Sequence, residues 1–585
     1  MAQVTGKAFD TKLFSRVMVY AKPYKDVLYK ALMLTIVLAI VGVLRPYLIG
    51  KAVDEYVVTG DSNGLLLLTL IIVGVLFVEA FMQFYQTYYS NWLGQSVTID
   101  MRSKVFTHIT SFKLKYFDKT AIGTLVTRCI SDIETIAQIF SQGLLSIMGE
   151  LLKLVAVIAF MFFISWKLTL YSLAPIPLLI LAMIVFKNSI KRAFQEVRTQ
   201  VSKLNAFVQE HITGMVIVQV FNREKREKEK FRAINDIHKK AHIRSIWAYS
   251  VFFPVVEILS AVSLAFLVWW GAGGVLKEEV SLGDLLMFIL LINMLFRPIR
   301  QLADRFNVLQ MGMVGSERVF KILDTNEEIQ DAGTLNSGIK GNIKFENVWF
   351  AYNEEEWVLK NISFEAKEGE KIAFVGATGA GKSSVVNLVN RFYEFQKGEI
   401  KIDGVPIRDF DLDYLRNEIA VVLQDVFLFS ASIAENITLQ NDRITIEEVK
   451  KAAEAVGANQ FIEKLPGGYD YDVKERGGML SVGQRQLVSF IRAYVYNPKV
   501  LILDEATSSV DTESELMIQR AIDRLTANRT SIIIAHRLST IQKADRIIVL
   551  DKGEIVEQGN HQQLLKADGH YKRLFDLQFK DENLN

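Results

Sequence analysis

The chain holds one cysteine, Cys129, among 585 residues. A single thiol excludes an intramolecular disulfide framework and any multi-cysteine zinc site. Net charge is nearly absent as well: 67 lysines and arginines face 65 aspartates and glutamates, a formal +2. That balance argues against a dedicated nucleic-acid binder, and no nucleic-acid partner is expected. The low hydrophobicity of disordered chains is missing too, since 50% of the residues are hydrophobic and mean hydropathy is +0.21. At roughly 150 residues per domain, the length implies several domains rather than one core.

Charge is scarcest before position 300, where six apolar runs stand out: Leu28–Ile49, Leu65–Tyr88, Leu144–Ile164, Leu168–Phe186, Val251–Leu276 and Leu285–Phe296. A membrane-crossing helix needs about 20 predominantly apolar residues. The last run is short and ends at Arg297-Pro298, so its helix is expected to extend beyond it. The first is not read as a cleaved signal peptide, because a polar, charged segment precedes it and no small-residue cleavage pattern ends it. Basic residues crowd two long loops: Arg102, Lys104, Lys113, Lys115, Lys119 and Arg128 in one, and the stretch from Lys187 to Lys230 in the other. The three short loops contribute essentially Lys51, Lys167 and Lys277. The positive-inside bias makes both long loops cytoplasmic, and an even span number then puts both termini there. Val201, Leu204, Phe207 and Val208 keep helical spacing in the second loop, while Arg223–Lys230 alternates with glutamates as a solvated helix face does. Spans 2–3 and 4–5 are therefore expected to continue as helices beyond the membrane, almost 40 Å for about 25 residues.

Beyond Pro298 the character changes. Residues 1–324 are read as a transmembrane domain, the polar stretch 325–341 as a linker, and 342–585 as a soluble domain of short strands alternating with helices. The expected fold is thus an α-helical six-span transmembrane domain followed by an α/β P-loop NTPase domain. Gly376, Ala377, Thr378, Gly379, Ala380, Gly381, Lys382 and Ser383 fit GxxxxGK[ST] between the apolar strand Lys371–Val375 and a helical run opened by Ser384. Glycine-rich backbone amides at a helix N-terminus cradle phosphates, Lys382 reaches the β/γ-phosphates, and the Ser383 hydroxyl ligates Mg²⁺. Ser384 joins the cofactor-binding set. The continuous apolar run Val500–Leu503 reads as a buried parallel strand ending in Asp504-Glu505. Asp504 is positioned for the Mg²⁺ shell, and Glu505 for polarising an attacking water. A third strand, Ser531–Ala535, ends in His536, placed to contact the γ-phosphate.

This ordered set resembles an exporter of the ATP-binding-cassette (ABC) family, with membrane and nucleotide domains in one half-transporter chain. The resemblance implies that Tyr352 stacks on adenine and that Gly376–Ser383 is the Walker A loop. Gln424 (VVLQD) matches the Q-loop glutamine, a sensor at the Mg²⁺ and water site. Leu480-Ser481-Val482-Gly483-Gln484 matches the signature motif, Val500–Glu505 the Walker B strand, Ser508–Asp511 the D-loop and His536 the switch histidine. It further implies that Lys115–Thr120 and the Gly214–Arg223 region form coupling helices, and that ATP and Mg²⁺ bind between two nucleotide domains. One departure stands in the signature, which usually reads LSGGQ: Val482 occupies the first glycine. Its bulk, and the backbone freedom it removes, fall where close phosphate approach matters. A homodimer with two working sites is favoured over a heterodimer with one weakened site. The expected activity is ATP-driven export of hydrophobic or amphipathic compounds, multidrug-type, by alternating access. The alternatives are a lipid or glycolipid flippase on the same scaffold, or an ATP-gated channel or regulatory membrane ATPase. The expected partners are membrane lipid and a second half-transporter chain, and the expected location is a bacterial inner membrane. Carboxylates within spans are costly and usually functional or paired. Glu150 has Lys153 three residues on, whereas Glu257 has no basic residue at helical spacing and is read as lining the translocation cavity and favouring cationic amphiphiles. The stripe Phe77, Phe81, Phe84, Tyr85 and Tyr88 reads first as a lipid-facing or packing surface.

Overall fold

The computed structural model describes residues 10–329, 333–353, 356–504, 512–535 and 537–578. The chain divides into two compact units, one of Met1–Thr110 and Ile122–Asn326, the other of Ser111–Ala121 and Glu327–Asn585.

The first unit is all helix. It opens with α1 (Thr11–Ala21), α2 (Lys25–Ala52) and α3 (Ser62–Thr110). The short helix α4 (Leu114–Lys119) belongs to the second unit. Then come α5 (Ile122–Thr127), α6 (Ile133–Gln138) and α7 (Leu145–Ile164), joined by π-helical turns, followed by α8 (Trp166–Leu173) and α9 (Ile176–Thr213). The six-residue α10 (Met215–Val220) leads into α11 (Glu224–Leu276) and α12 (Leu282–Leu323).

Among the described residues, five helical stretches are long and apolar enough to cross a membrane: Thr11–Val57, Ser62–Thr110, Ile122–Ile164, Trp166–Thr213 and Glu224–Leu276. The sixth expected span lies in α12, which runs on through Pro298 as anticipated, but its apolar run is short and bounded by Asp284 and Arg297. At about 1.5 Å per residue, the 49 residues of α3 and the 53 of α11 far exceed a bilayer core.

Leu66, Leu67, Leu70, Phe77 and Phe81 of α3 are 61–71% exposed. Each such side chain forgoes roughly 1.5–3 kcal/mol of burial in water, a cost that a hydrocarbon surround removes. The aromatic stripe is part of this outward surface, with Tyr85 packed edge-on against Phe81 at 4.7 Å. The unit's core lies elsewhere, around Phe186 stacked on Phe252 at 4.0 Å and the buried Phe288, Leu291 and Phe296 of α12. Charges inside the unit are mostly paired. Buried Asp132 meets Arg128 at 2.5 Å and Arg318 at 3.5 Å, and Glu79 of α3 faces Arg45 of α2 at 3.9 Å. Among the described residues no ion pair joins Glu150 to Lys153, so the sequence spacing does not become a contact.

The second unit has two sheets. β1 (Ile343–Phe350), β2 (Leu359–Ala366), β4 (Lys397–Ile402) and β5 (Val405–Pro406) form an antiparallel sheet in the order β2-β1-β4-β5. β3 (Lys371–Val375), β6 (Ile419–Val422), β7 (Val500–Asp504), β8 (Thr530–Ile534), β9 (Arg546–Asp551) and β10 (Glu554–Gly559) form the other, in the order β10-β9-β3-β8-β7-β6. All its neighbours are parallel except β9 and β10. The apolar runs explain the arrangement: β8 is buried at every position and β7 at all but Asp504, as strands covered on both faces must be. β10 alternates exposed and half-buried residues, as an edge strand does. One core fills the space between the sheets, around Phe345, Phe364 and Phe374. The other packs the parallel sheet against α15 (Ile433–Thr438), α16 (Ile446–Val456) and α18 (Val482–Val495); α13 (Lys382–Val389) and α14 (Leu412–Glu418) precede these, and α17 (Asn459–Glu463) lies between α16 and α18.

Candidate nucleotide site

Parallel strands bring their carboxyl ends to one edge, where open α/β sheets bind ligands. Phe374 of β3 is level with Ile534 of β8, and Ile534 is level with Asp504 of β7. The turn after β3, the end of β7 and the end of β8 therefore share that edge, although they lie more than a hundred residues apart in sequence at the widest. Gln424 stands two residues past β6, whose Val422 is level with Leu503, so it joins the same edge as an exposed side chain.

The turn from β3 into α13 is built for close backbone approach. A side chain at Gly376 would place its Cβ 2.2 Å from the Leu550 carbonyl oxygen. Gly381 caps α13 at φ +104°, a left-handed conformation that costs a glycine little. Ala377, Thr378, Gly379 and Ser383 are exposed, whereas Ala380 and Gly381 are buried. Lys382 is only 7% exposed and curls back, donating to the carbonyl oxygens of Gly376 at 2.8 Å and Ala377 at 3.1 Å. Burial pushes its ammonium below the usual lysine range, with the Asp504 carboxylate pulling the other way. A buried cation beside a glycine loop at a helix N-terminus fits a polyphosphate: backbone amides and the dipole favour negative charge there. The exposed Ser383 hydroxyl, the Asp504 carboxylate and the Gln424 amide are hard oxygen donors of the kind Mg²⁺ takes, alongside phosphate oxygens and water.

Tyr352 follows β1 and packs edge-on against Phe350 at 4.7 Å and Tyr393 at 4.9 Å. Its hydroxyl pairs with Ser384 Oγ at 3.1 Å and accepts from Asn387 Nδ2 at 2.9 Å, which ties the ring to α13. Gln396 clamps the approach to this ring through both the N–H and the carbonyl of Ala351, each at 2.9 Å. Asn387, Tyr393 and Gln396 were not singled out from sequence. Asn387 could have been, since it lies three residues from Ser384 on one helix face; the other two carry no local signal.

The signature residues sit apart from the strand edge, at the start of α18 on the helical layer. Ser481 caps the helix, its Oγ accepting from the Gln484 N–H at 3.2 Å while the Gln484 side chain accepts from the Ser481 N–H at 3.0 Å. Gly483 is buried, and Val482 is 47% exposed on the surface. Glu505, Asp511 and His536 lie outside the described residues. Tyr352, the loop 376–383, Ser384, Gln424 and Asp504 are thus grouped around one end of the parallel sheet and α13, while Ser481, Gly483 and Gln484 are presented separately.

The segment expected to couple the two regions, Lys115–Thr120, falls on α4. Within the second unit it is held by the Lys113 N–H donating to Glu327 O at 2.8 Å and the Ile329 N–H donating to Ser111 O at 3.0 Å. The Tyr393 hydroxyl donates to the Asp118 carboxylate. Burial, reinforced by that hydrogen bond, raises the Tyr393 phenol above its ordinary value. Tyr393 therefore touches both the Tyr352 ring and α4, a physical link from the candidate adenine side of the site to this short helix.

Comparison with known proteins agrees with this architecture. The family model described as the ABC transporter transmembrane region matches residues 28–299, and the one described as ABC transporter matches residues 359–508. An uncharacterized ABC transporter ATP-binding protein of Bacillus subtilis (strain 168) is 38% identical, covering 99% of this chain and 96% of its own length. A probable multidrug resistance ABC transporter ATP-binding/permease protein of the same organism is 37% identical over 88% of this chain and 77% of its own. An ATP-dependent lipid A-core flippase of Desulfotalea psychrophila (strain LSv54 / DSM 12343) is 34% identical over 98% of this chain and 100% of its own. With its membrane helices and its ATPase region fused in one polypeptide, the chain belongs to the ABC transporters and is an ATP-driven exporter.

Proposed function

We propose that this exporter moves hydrophobic or amphipathic compounds, multidrug-type, out of a bacterial inner membrane as a homodimer with two ATP sites. The observation that carries the reading is the desolvated Lys382 in its glycine loop, beside Asp504, in the same chain as helices that turn leucine and phenylalanine outward. The names of two relatives, a multidrug resistance transporter and a lipid A-core flippase, support an amphipathic cargo. Lipid flipping on the same scaffold is the second reading, favoured by that flippase at 34% identity.

In this proposal the loop 376–383 with Lys382 and Ser384 holds the phosphates, Tyr352 holds adenine, and Ser383, Asp504 and Gln424 hold Mg²⁺. An Mg²⁺ ion held by these residues would supply charge neutralisation to the phosphates. Glu505 orients the attacking water, and His536 and Gln424 sense the γ-phosphate. Ser481, Gly483 and Gln484 of one chain, with Asp511 near by, complete the site of the other. Val482 is exposed at the α18 N-terminus, which leaves that helix end accessible to a second chain in this reading. Both termini are cytoplasmic in this reading, as the basic loops imply.

Glu505→Gln and Lys382→Ala are each expected to lower ATP hydrolysis by roughly 100-fold or more in nanodiscs. The Glu505 variant should still bind ATP, and the native mass of the active species should equal two copies of this chain. Full hydrolysis by the Glu505 variant, or activity only after a different chain is added, overturns the site or the homodimer respectively. Exposed Glu257 on α11 is proposed to favour cationic cargo. Glu257→Gln should then lower efflux of a cationic dye relative to a neutral one.

A further inference from the structure

Between α9 and α11 runs an open groove of about 580 Å³, walled by Leu178, Leu181 and Val185 on one side and Val251, Val255 and Ile258 on the other. Its floor is the Phe186–Phe252 stack. From Leu178 to Ser189 the groove follows α9 for about 16 Å, close to the depth of one bilayer leaflet. One end is apolar throughout. The other, nearer α10, is lined by Ser189 and by Trp247, which is 71% exposed. An indole there has the amphipathic character favoured at the membrane–water boundary.

The charges at that second end have one sign. Lys187, Lys191 and Arg192 are exposed, and among the described residues none of the three makes an ion pair. The one acid near by on α9, Glu196, is occupied by Arg244 of α11 through contacts of 2.5 and 2.7 Å. Arg192 falls on the groove face of α9, continuing the spacing of Val185 and Ser189. A leaflet-deep apolar slot that ends in an indole, a hydroxyl and uncompensated cations matches one kind of molecule.

The geometry points to a docking site for an anionic phospholipid, its acyl chain in the α9–α11 groove and its phosphate at Arg192, with Lys187 and Lys191 adding to the field. The inference rests on the reading of α9 and α11 as membrane helices with α10 on the cytoplasmic side. Charge complementarity selects an anionic over a zwitterionic headgroup, and the slot's length selects a lipid over a free phosphate.

The test is native mass spectrometry of the full chain, purified from membranes and exchanged into detergent with equal amounts of phosphatidylglycerol and phosphatidylcholine. Wild-type protein should retain phosphatidylglycerol over phosphatidylcholine roughly fivefold, the weight of about one cationic contact near a lipid surface. Arg192→Gln should remove that preference, Arg192→Lys should keep most of it, and Trp247→Ala should lower retention of both lipids. Equal retention of the two lipids by wild type, or an unchanged preference in Arg192→Gln, overturns the site. Displacement by inorganic phosphate would assign the cations to a free anion and likewise overturn it. So would loss of the native assembly in Trp247→Ala, which would make the groove an interface between chains. Should the chain fractionate as a soluble protein instead, it is the membrane reading that fails, before the lipid comparison is reached.

Discussion

The six-residue helices α4 and α10 each follow a long helix, α3 and α9 respectively, yet their surroundings are opposite. α4, LKYFDK, is fastened within the second unit by backbone hydrogen bonds flanking it and by Tyr393 on Asp118. α10, MVIVQV, leaves Val216, Ile217 and Val220 between 63% and 70% exposed, with Phe221 at 65% just after it. An isolated helix that short does not persist in water on propensity, and an apolar patch beside basic, soluble helix ends is not a lipid surface. The contrast teaches that α4 is fastened by residues of its own unit, whereas α10 carries an apolar face that its own unit leaves exposed.

The largest effect is expected where the comparison is sharpest. Ile217→Asp should abolish coupled transport while changing the stability of the isolated chain by no more than about 0.5 kcal/mol, as surface substitutions usually do. Thermal unfolding and dye efflux measured on the same preparation check both halves. Unimpaired efflux would mean that α10 docks on nothing essential. Next comes α4. Tyr393→Phe removes one hydrogen bond to a carboxylate, worth about 1.5–3 kcal/mol. The expected result is uncoupling, with ATP hydrolysis that no longer responds to transported compounds, read as the ratio of stimulated to basal rates. If α4 is held by its backbone bonds alone, that ratio will not move.

A smaller effect is expected at the signature helix. Val482→Gly should raise the maximal ATPase rate, by roughly twofold to fivefold if the valine costs about 0.5–1 kcal/mol of phosphate approach. No change would mean the exposed valine leaves the composite site unhindered. The smallest effect concerns how α10 is framed. His211 at the end of α9 pairs with Glu227 of α11 at 2.8 Å, and Lys230 shares that carboxylate at 2.7 Å. The Glu227 hydrogen bond, with Phe207 O on the other ring nitrogen and Glu210 near by, raises the imidazole above its ordinary value of 6.5. The stabilisation is therefore complete below about pH 6.5 and is lost as pH rises through the raised value. Amide exchange of residues 214–223, corrected for intrinsic rates, should quicken from about pH 6 to about pH 8.5 in wild type. In His211→Gln it should show no such step.

Much of this was legible beforehand because it depends on local chemistry. The run Val500–Leu503 is apolar at every position because both faces of β7 are covered, so a buried parallel strand could be read from four letters. The glycine loop with Lys382 needs no tertiary context to be recognised, since the spacing itself supplies the phosphate cradle. Leu65–Tyr88 announced a membrane helix by composition alone, and the helix runs on to Thr110, in line with the expected extension of the spans beyond the membrane. Other features were hidden because they depend on residues far apart. Nothing near Tyr393 marks it as the link between Tyr352 and Asp118, which are separated from it by 41 and 275 positions. Glu150 and Lys153 illustrate the converse: three residues apart on a helix, they had the spacing for a pair, yet among the described residues no ion pair joins them.

The amino-acid order by itself determined that this is a fused membrane and ATPase chain, because hydrophobic run length and phosphate-loop spacing are properties of short segments. Tertiary structure decided which of its surfaces are satisfied. Packing fastened α4 within the second unit, left the apolar face of α10 exposed within the first, and aligned α9 with α11 so that an apolar groove ends near cations that make no ion pair among the described residues. Those outcomes turn on how residues far apart in the chain, such as Val185 and Val255, come to face one another, and no local pattern of side chains carries that.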